Sequence, residues 1–211
     1  MKPTTLIASL LGALSLEAQM VSAPGLGFLR AEYGDTYSYL ETGYSFKGFR
    51  TLGLSAYSFD TGVGPSFEAE VASVNQLLKR WNGSNDQANV YAGIGLGRGR
   101  CGTRSGLAAA ATLQADWEDR KWHIMLQEQA IFVPGGSRLA STLHLGWAPW
   151  LAEYDEWAPW VYWVIQHDNG LGGGVSHGPQ LVLMYRDVLY EFRVMRSSND
   201  YHAEAGLRLL F

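Results

Sequence analysis

From about residue 26 to the end, apolar and polar residues alternate in short runs, with no convincing helical period. Leu107, Ala109, Ala111, Leu113, Ala115 and Trp117 alternate with Ala108, Ala110, Thr112, Gln114 and Asp116. The beat resumes at Trp122, Ile124 and Leu126 against His123, Met125 and Gln127, after the charged turn Glu118-Asp119-Arg120-Lys121. Side chains of a strand point to opposite faces with period two, so this stretch predicts a hairpin with one apolar and one polar face. Similar runs follow Leu52, Leu54 and Ala56, then Val90, Ala92, Ile94 and Leu96, then Leu139, Leu143, Leu145 and Trp147. Leu181, Leu183 and Tyr185 lead through Arg186-Asp187 into Tyr190, Phe192 and Val194, with Glu191 and Arg193 between them.

The pattern predicts strands near 37–46, 50–59, 66–80, 88–100, 105–117, 121–133, 138–149, 158–167, 177–186, 188–197 and 201–211. Segments of about ten residues with this period, separated by turn residues, are what a transmembrane β-barrel needs. A barrel with both ends on one side needs an even number of strands. Leu26 to Tyr33, with Gly34-Asp35-Thr36 as its turn, supplies a twelfth. Ten is the alternative, with 26–33 a tail and two other segments merged. The expected fold is therefore all-β: one antiparallel, up-and-down transmembrane barrel of about twelve strands. After the N-terminus no run of about 18 apolar residues exists, so no transmembrane helix is available. A soluble exported sandwich or lipocalin-like protein has the same alternation, with its apolar faces turned inward.

The last eight residues separate these readings. Glu204, Gly206, Leu209 and Phe211 place a polar residue, a glycine two later, and hydrophobic residues at the third-last and last positions. This tail resembles the C-terminal insertion signal of Gram-negative outer-membrane β-barrels. The resemblance implies an outer-membrane location, membrane lipid as partner and insertion by the barrel-assembly machinery. It also puts the C-terminus in the periplasm. The turns near 47–49, 81–87, 118–121, 150–157 and 186–187 then fall on the periplasmic side. Trp81, Trp117, Trp122, Trp147, Trp150, Trp157 and Trp160, seven of the eight tryptophans, sit at or beside them. Indoles prefer the headgroup level, so these seven are expected to form an interfacial belt.

Composition changes this picture little. Hydrophobic residues make up 47% of 211, yet mean hydropathy is −0.08, as interleaving requires. The net charge of −4 comes with no basic stripe, which excludes nucleic acid as an expected partner. Residues 1–23 read as a signal peptide: Lys2, an apolar core from Leu6 to Leu16, and Val21-Ser22-Ala23 at the cleavage site. Cleavage after Ala23 leaves Pro24 first, which signal peptidase disfavours, so cleavage after Ala18 is the alternative. The barrel domain is then 24–211. Cys101 is the only cysteine, so no internal disulfide is available.

With the apolar set facing lipid, the inward set includes Glu41, Glu68, Glu70, Asp116, Glu191, Arg193, Glu204 and Arg208, together with His123, His144 and His202. Such residues either fill a barrel with salt bridges or set what enters a pore. Gly93, Gly95, Gly97 and Gly99 alternate on the same face and leave room beside the wall. A twelve-stranded cylinder is wider than the eight-stranded type that side chains fill, so a cavity is expected. His167, Asp168 and His177 bracket a glycine-rich loop and are the metal candidates, though their spacing matches no recognised site. No cofactor is expected, since neither Gly-x-Gly run continues into a phosphate-binding loop. Three functions remain: a small pore or ligand-holding barrel for polar solutes or ions, a plugged structural or metal-responsive barrel, and a lipid-modifying hydrolase. The hydrolase lacks local support, because neither His167 nor His202 is followed two residues later by a serine.

Overall fold

The structure is a computed structural model that describes residues 24–60, 64–169, 174–197 and 200–211; the expected signal segment 1–23 lies outside the described residues. Twelve strands follow one another: β1 (Gly27–Gly34), β2 (Tyr37–Phe46), β3 (Arg50–Phe59), β4 (Phe67–Asn82), β5 (Gln87–Cys101), β6 (Arg104–Glu118), β7 (Trp122–Val133), β8 (Gly136–Trp147), β9 (Ala158–Asp168), β10 (Val175–Tyr185), β11 (Val188–Arg196) and β12 (Tyr201–Leu210). Each pairs with its chain neighbours, and β1 pairs antiparallel with β12, closing the barrel. Closure leaves no strand edge, which is what lets a sheet sit in hydrocarbon. The first strand required by parity is present, so the ten-strand alternative falls.

Burial alternates along the strands. Leu54, Ile94, Leu96, Leu107, Ile124, Leu126, Leu145 and Phe192 project outward and are exposed, as part of an apolar band around the barrel. A soluble monomer rarely exposes a continuous patch larger than a few hundred Å². The lipocalin-like alternative, with its apolar faces inward, is therefore overturned by the direction in which these side chains point.

The two ends differ. At the end carrying the termini, the ten residues of Ala148–Trp157 form the longest described connection. At the distal end β5 turns into β6 through Gly102 at φ +58°, and β7 into β8 through Gly135 at φ +88°. Both are tight two-residue turns with glycine at the one position that takes a positive φ. In β4 the pairing slips between Leu77 and Lys79. This extra residue resets the alternation and turns Arg80 inward, where it bonds Asn89.

The interior is packed at both ends, on different walls. Phe59, Phe67, Ala69, Val71, Ala108, Ile131 and Val133 form a distal apolar cluster on the β3–β7 side. Tyr162, Val164, Val182, Leu189 and Met195 form a second along β9–β11.

Candidate functional site: the inner wall of the barrel

The charged lattice of the lumen is built from residues two apart on adjacent strands, so that alternate positions share the inner face. Arg193 of β11 is directly opposite Glu204 of β12, and the two form an ion pair. On β1, Arg30 pairs with Glu32 and lies 3.7 Å from Glu191. Arg208 lies 3.7 Å from the other oxygen of Glu191. The Tyr37 hydroxyl is 3.1 Å from Glu32 and 3.0 Å from Glu204, tying β2 to both ends of the lattice. Gly206 makes room for these carboxylates: a Cβ there would lie 3.3 Å from both Glu191 and Glu32. Across the barrel, Arg138 donates to Asp168 at 2.8 and 2.5 Å and to Gln129 at 2.8 Å. Its guanidinium lies 4.0 Å from the centroid of the Phe59 ring.

These groups surround a polar well of about 110 Å³ in the distal half. One wall is aromatic, with Tyr37, Tyr39, Tyr57 and Phe59 at ring separations of 4.8 to 6.4 Å. The facing wall carries Gln127, Gln129, Thr142, Gln166 and Gln180. A smaller chamber of about 40 Å³ adjoins it, and Arg30, Tyr39, Tyr57, Gln127 and Gln129 line both. These five are the wall common to the two spaces.

Towards the terminal end the interior is solid. Phe28, Ser45, Thr51, Asn89, Tyr91, Gln114, Asp116, His123, Met125, Tyr162 and Leu189 are each at most 4% exposed. Tyr162 is central to this plug: its hydroxyl is 3.1 Å from His123 Nδ1, and its ring packs against His144 and Trp160. Gly146 gives the ring its space, since a Cβ there would lie 2.2 Å from it. Tyr91, beside Phe49 and Leu77, fills the β4–β5 side.

Of the residues expected inside, Glu41, Asp116, Glu191, Arg193, Glu204 and Arg208 face inward, as do His123, His144 and His202. Glu68 and Glu70 do not. They project outward at the distal end and pair with Arg100 and Arg98 of β5. Above the apolar band the rule inverts: Phe67, Ala69 and Val71 turn inward to the distal cluster, and the charges take the wet outer surface. The metal candidates are dispersed, with Asp168 held inward by Arg138 while His167 and His177 are on the outer face. Among the described residues no group of three metal-ligating side chains occurs. Sequence reasoning missed Arg30, Glu32, Glu118, Arg138 and the tyrosines. Arg30 and Glu32 are two apart in a predicted strand, which is the signal that marked Glu191 and Arg193.

The sequence matches no known family and no curated protein. Solved structures do match. The KdgM porin in complex with disordered oligogalacturonate superimposes with a TM-score of 0.57 at 12% identity, covering 88% of this chain and 99% of that one. The β domain of the Bordetella autotransporter BrkA gives 0.50 at 13% identity, covering 88% and 98%. The fold is that of a bacterial outer-membrane β-barrel.

The tail lies against the first strand, and the seven tryptophans lie towards the terminal end. Phe211 pairs its backbone with Gly27 and covers that glycine with its ring. Leu209 faces outward, whereas Glu204 and Gly206 face the lumen. Trp81, Trp122 and Trp147 are exposed on the outside near the terminal end, and Trp117 there bonds Asp86. Trp150 and Trp157 belong to the long terminal-end connection. Trp160 differs from the other six: it points inward against His123 and Tyr162, because β9 begins at Ala158 and has already entered the alternation.

Proposed function

We propose that this protein is a narrow outer-membrane channel with an outward-opening polar well, closed at rest by a side-chain plug on the periplasmic side. The observation that carries this reading is the polar well standing above a solid terminal half. In this orientation the terminal end is periplasmic, residues 1–23 direct export, and lipid and the barrel-assembly machinery are the partners of the outer face and the tail.

The KdgM porin was solved with oligogalacturonate, which supports solute handling by a barrel of this shape. The charge of the present wall argues for different solutes. Among the described residues Glu32, Glu41, Asp116, Glu118, Asp168, Glu191 and Glu204 face inward against Arg30, Arg80, Arg138, Arg193 and Arg208. A carboxylate surplus in a low-dielectric channel favours cations over anions. The lumen as a whole therefore suits small cations and neutral polar solutes, while the well itself is balanced, with Arg30, Arg138 and Arg193 against Glu32, Glu191 and Glu204.

The test is planar-bilayer recording of the wild type and of Tyr91→Ala/Tyr162→Ala, which removes the two largest fully buried side chains. The expected result is a mostly silent wild type and stable conductance steps in the double variant, with a reversal potential in a KCl gradient that favours cations. Steady anion-selective steps would refute the charge argument. Silence in both proteins would assign the barrel a structural role instead.

A further inference from the structure

We infer that the inner chamber beside Glu41 is a binding site for a partly hydrated monovalent cation of the alkali type. The inference deepens the proposed channel reading and rests on it for the ion's route of entry. The chamber is about 40 Å³, room for about three water-sized occupants. Its lining is rich in oxygen donors of the kind hard cations take: Glu41, Ser55, Ser73, Asn75 and Thr112. Two glycines let these oxygens converge. A Cβ at Gly93 would fall 1.8 Å from Asn75 Oδ1 and 2.5 Å from Thr112 Oγ1. One at Gly53 would lie 3.1 Å from Ser73 Oγ and 3.9 Å from Glu41 Oε1. The amide of Asn75 links the two groups, 3.5 Å from Ser73 Oγ on one side and 3.5 Å from Thr112 Oγ1 on the other.

The charge balance points to the same place. Arg30 and Arg208 are the guanidinium groups that act on Glu41, but their carboxylate partners within 4 Å are Glu32 and Glu191. Glu41 accepts a hydrogen bond from Tyr39 and has no ion-pair partner among the described residues. Three carboxylates therefore face two guanidinium groups, and one positive charge is needed to balance a half-buried carboxylate at membrane depth. A single negative charge with neutral oxygens suits a monovalent ion, because a divalent one draws on more carboxylates.

The test is ²³Na NMR on the full barrel in detergent, titrating NaCl against choline chloride at constant ionic strength. Choline is too large for the chamber. The expected result is saturable broadening with the wild type, its loss in Glu41→Gln, and several-fold weaker binding in Thr112→Val, which keeps the charge and the shape. A wild-type signal no broader than that of Glu41→Gln would overturn the site and assign the balancing charge to a proton. Unchanged binding in Thr112→Val would also overturn it, by removing the chamber oxygens from the coordination. Either failure leaves the conductance of Tyr91→Ala/Tyr162→Ala untouched, so the site and the channel reading fail separately.

Discussion

One substitution made on the two faces of the barrel should change stability in opposite directions. Glu128 of β7 projects outward in mid-strand, where Ser141 Oγ donates to it at 2.5 Å. Its cross-strand and same-face neighbours are Leu113, Leu126 and Ala130, with Leu143 beside Ser141. Outward charges at the midplane of such barrels cost about 2–4 kcal/mol for Arg or Lys and less for carboxylates. Glu128→Leu relieves that cost and gives up one hydrogen bond, worth about 1 kcal/mol. The expected net effect is a gain of about 1 kcal/mol. Glu191→Leu acts on the inside. Glu191 is 5% exposed and is the carboxylate within 4 Å of Arg208. Removing one partner of a buried ion pair leaves the other charge uncompensated, at about 3–5 kcal/mol. The two variants should therefore differ by about 4–6 kcal/mol, about three to four orders of magnitude in the folding equilibrium. Urea unfolding from lipid vesicles, followed by tryptophan fluorescence and by migration of unboiled samples on gels, measures both. A Glu128→Leu protein destabilised as far as Glu191→Leu would refute the lipid-facing assignment. A neutral Glu191→Leu would refute the lattice as a structural element.

Two further outcomes test the plug and the terminal-end connection. Gly146→Val drives a side chain into the Tyr162 ring and should cost about 1–3 kcal/mol by overpacking, whereas adding Tyr162→Ala should relieve most of that loss in the same unfolding assay. In the 148–157 connection the Tyr154 hydroxyl donates to Asp187 at 2.9 Å, and this bond holds the tyrosine above its usual pKa. A raised folded pKa means the contribution is complete below the unfolded value of about 10 and is lost as pH rises through the folded value. Tyrosinate absorbance, taken as the difference from Tyr154→Phe, should show a late titration that returns towards the ordinary range in Asp187→Asn.

The barrel was legible because its determinants are local. Alternation such as Leu107 to Trp117 reports which face each side chain takes, and parity from the tail demanded the strand that the structure places at Gly27–Gly34. Inward placement followed wherever the strand crosses the apolar band, as for Glu191, Arg193 and Arg208. It failed at Glu68 and Glu70 because the rule presumes lipid outside, and at the distal end of β4 the outside is wet. There the apolar members Phe67, Ala69 and Val71 alternate just as well, with the opposite sense. Trp160 misled for a related reason: proximity to a turn says nothing about which face a residue takes.

What the chain order hides is the content of the lumen. Strand count alone gives a cylinder with space inside, yet the terminal half is filled, because Tyr91 and Tyr162 project from walls four strands apart into a common interior. Tyr91 shares its face with Asn89 and Gly93, but Tyr162, between Val161 and Trp163, does not differ in local pattern from Tyr190, which faces outward two positions from Phe192. The distinguishing mark is a glycine elsewhere in the chain. Gly146 on β8 lies opposite Tyr162 on β9 and supplies the space that ring occupies. Gly93 does the same for the oxygens of Asn75 and Thr112, and Gly206 for Glu32 and Glu191. At these three positions an inward glycine marks a place where a neighbour's side chain has been drawn to the wall. The glycine run of β5, which alone suggests an open passage, divides by this criterion. Gly97 faces the backbone of Glu70 across the strand pair, Gly95 and Gly99 face the apolar side chains of Val71 and Val133, and Gly93 faces polar side-chain atoms. Passage through the barrel then depends on side chains packed into its terminal half, Tyr162 in a glycine-made space and Tyr91 against Phe49 and Leu77, and truncating both should open the channel without rebuilding the wall.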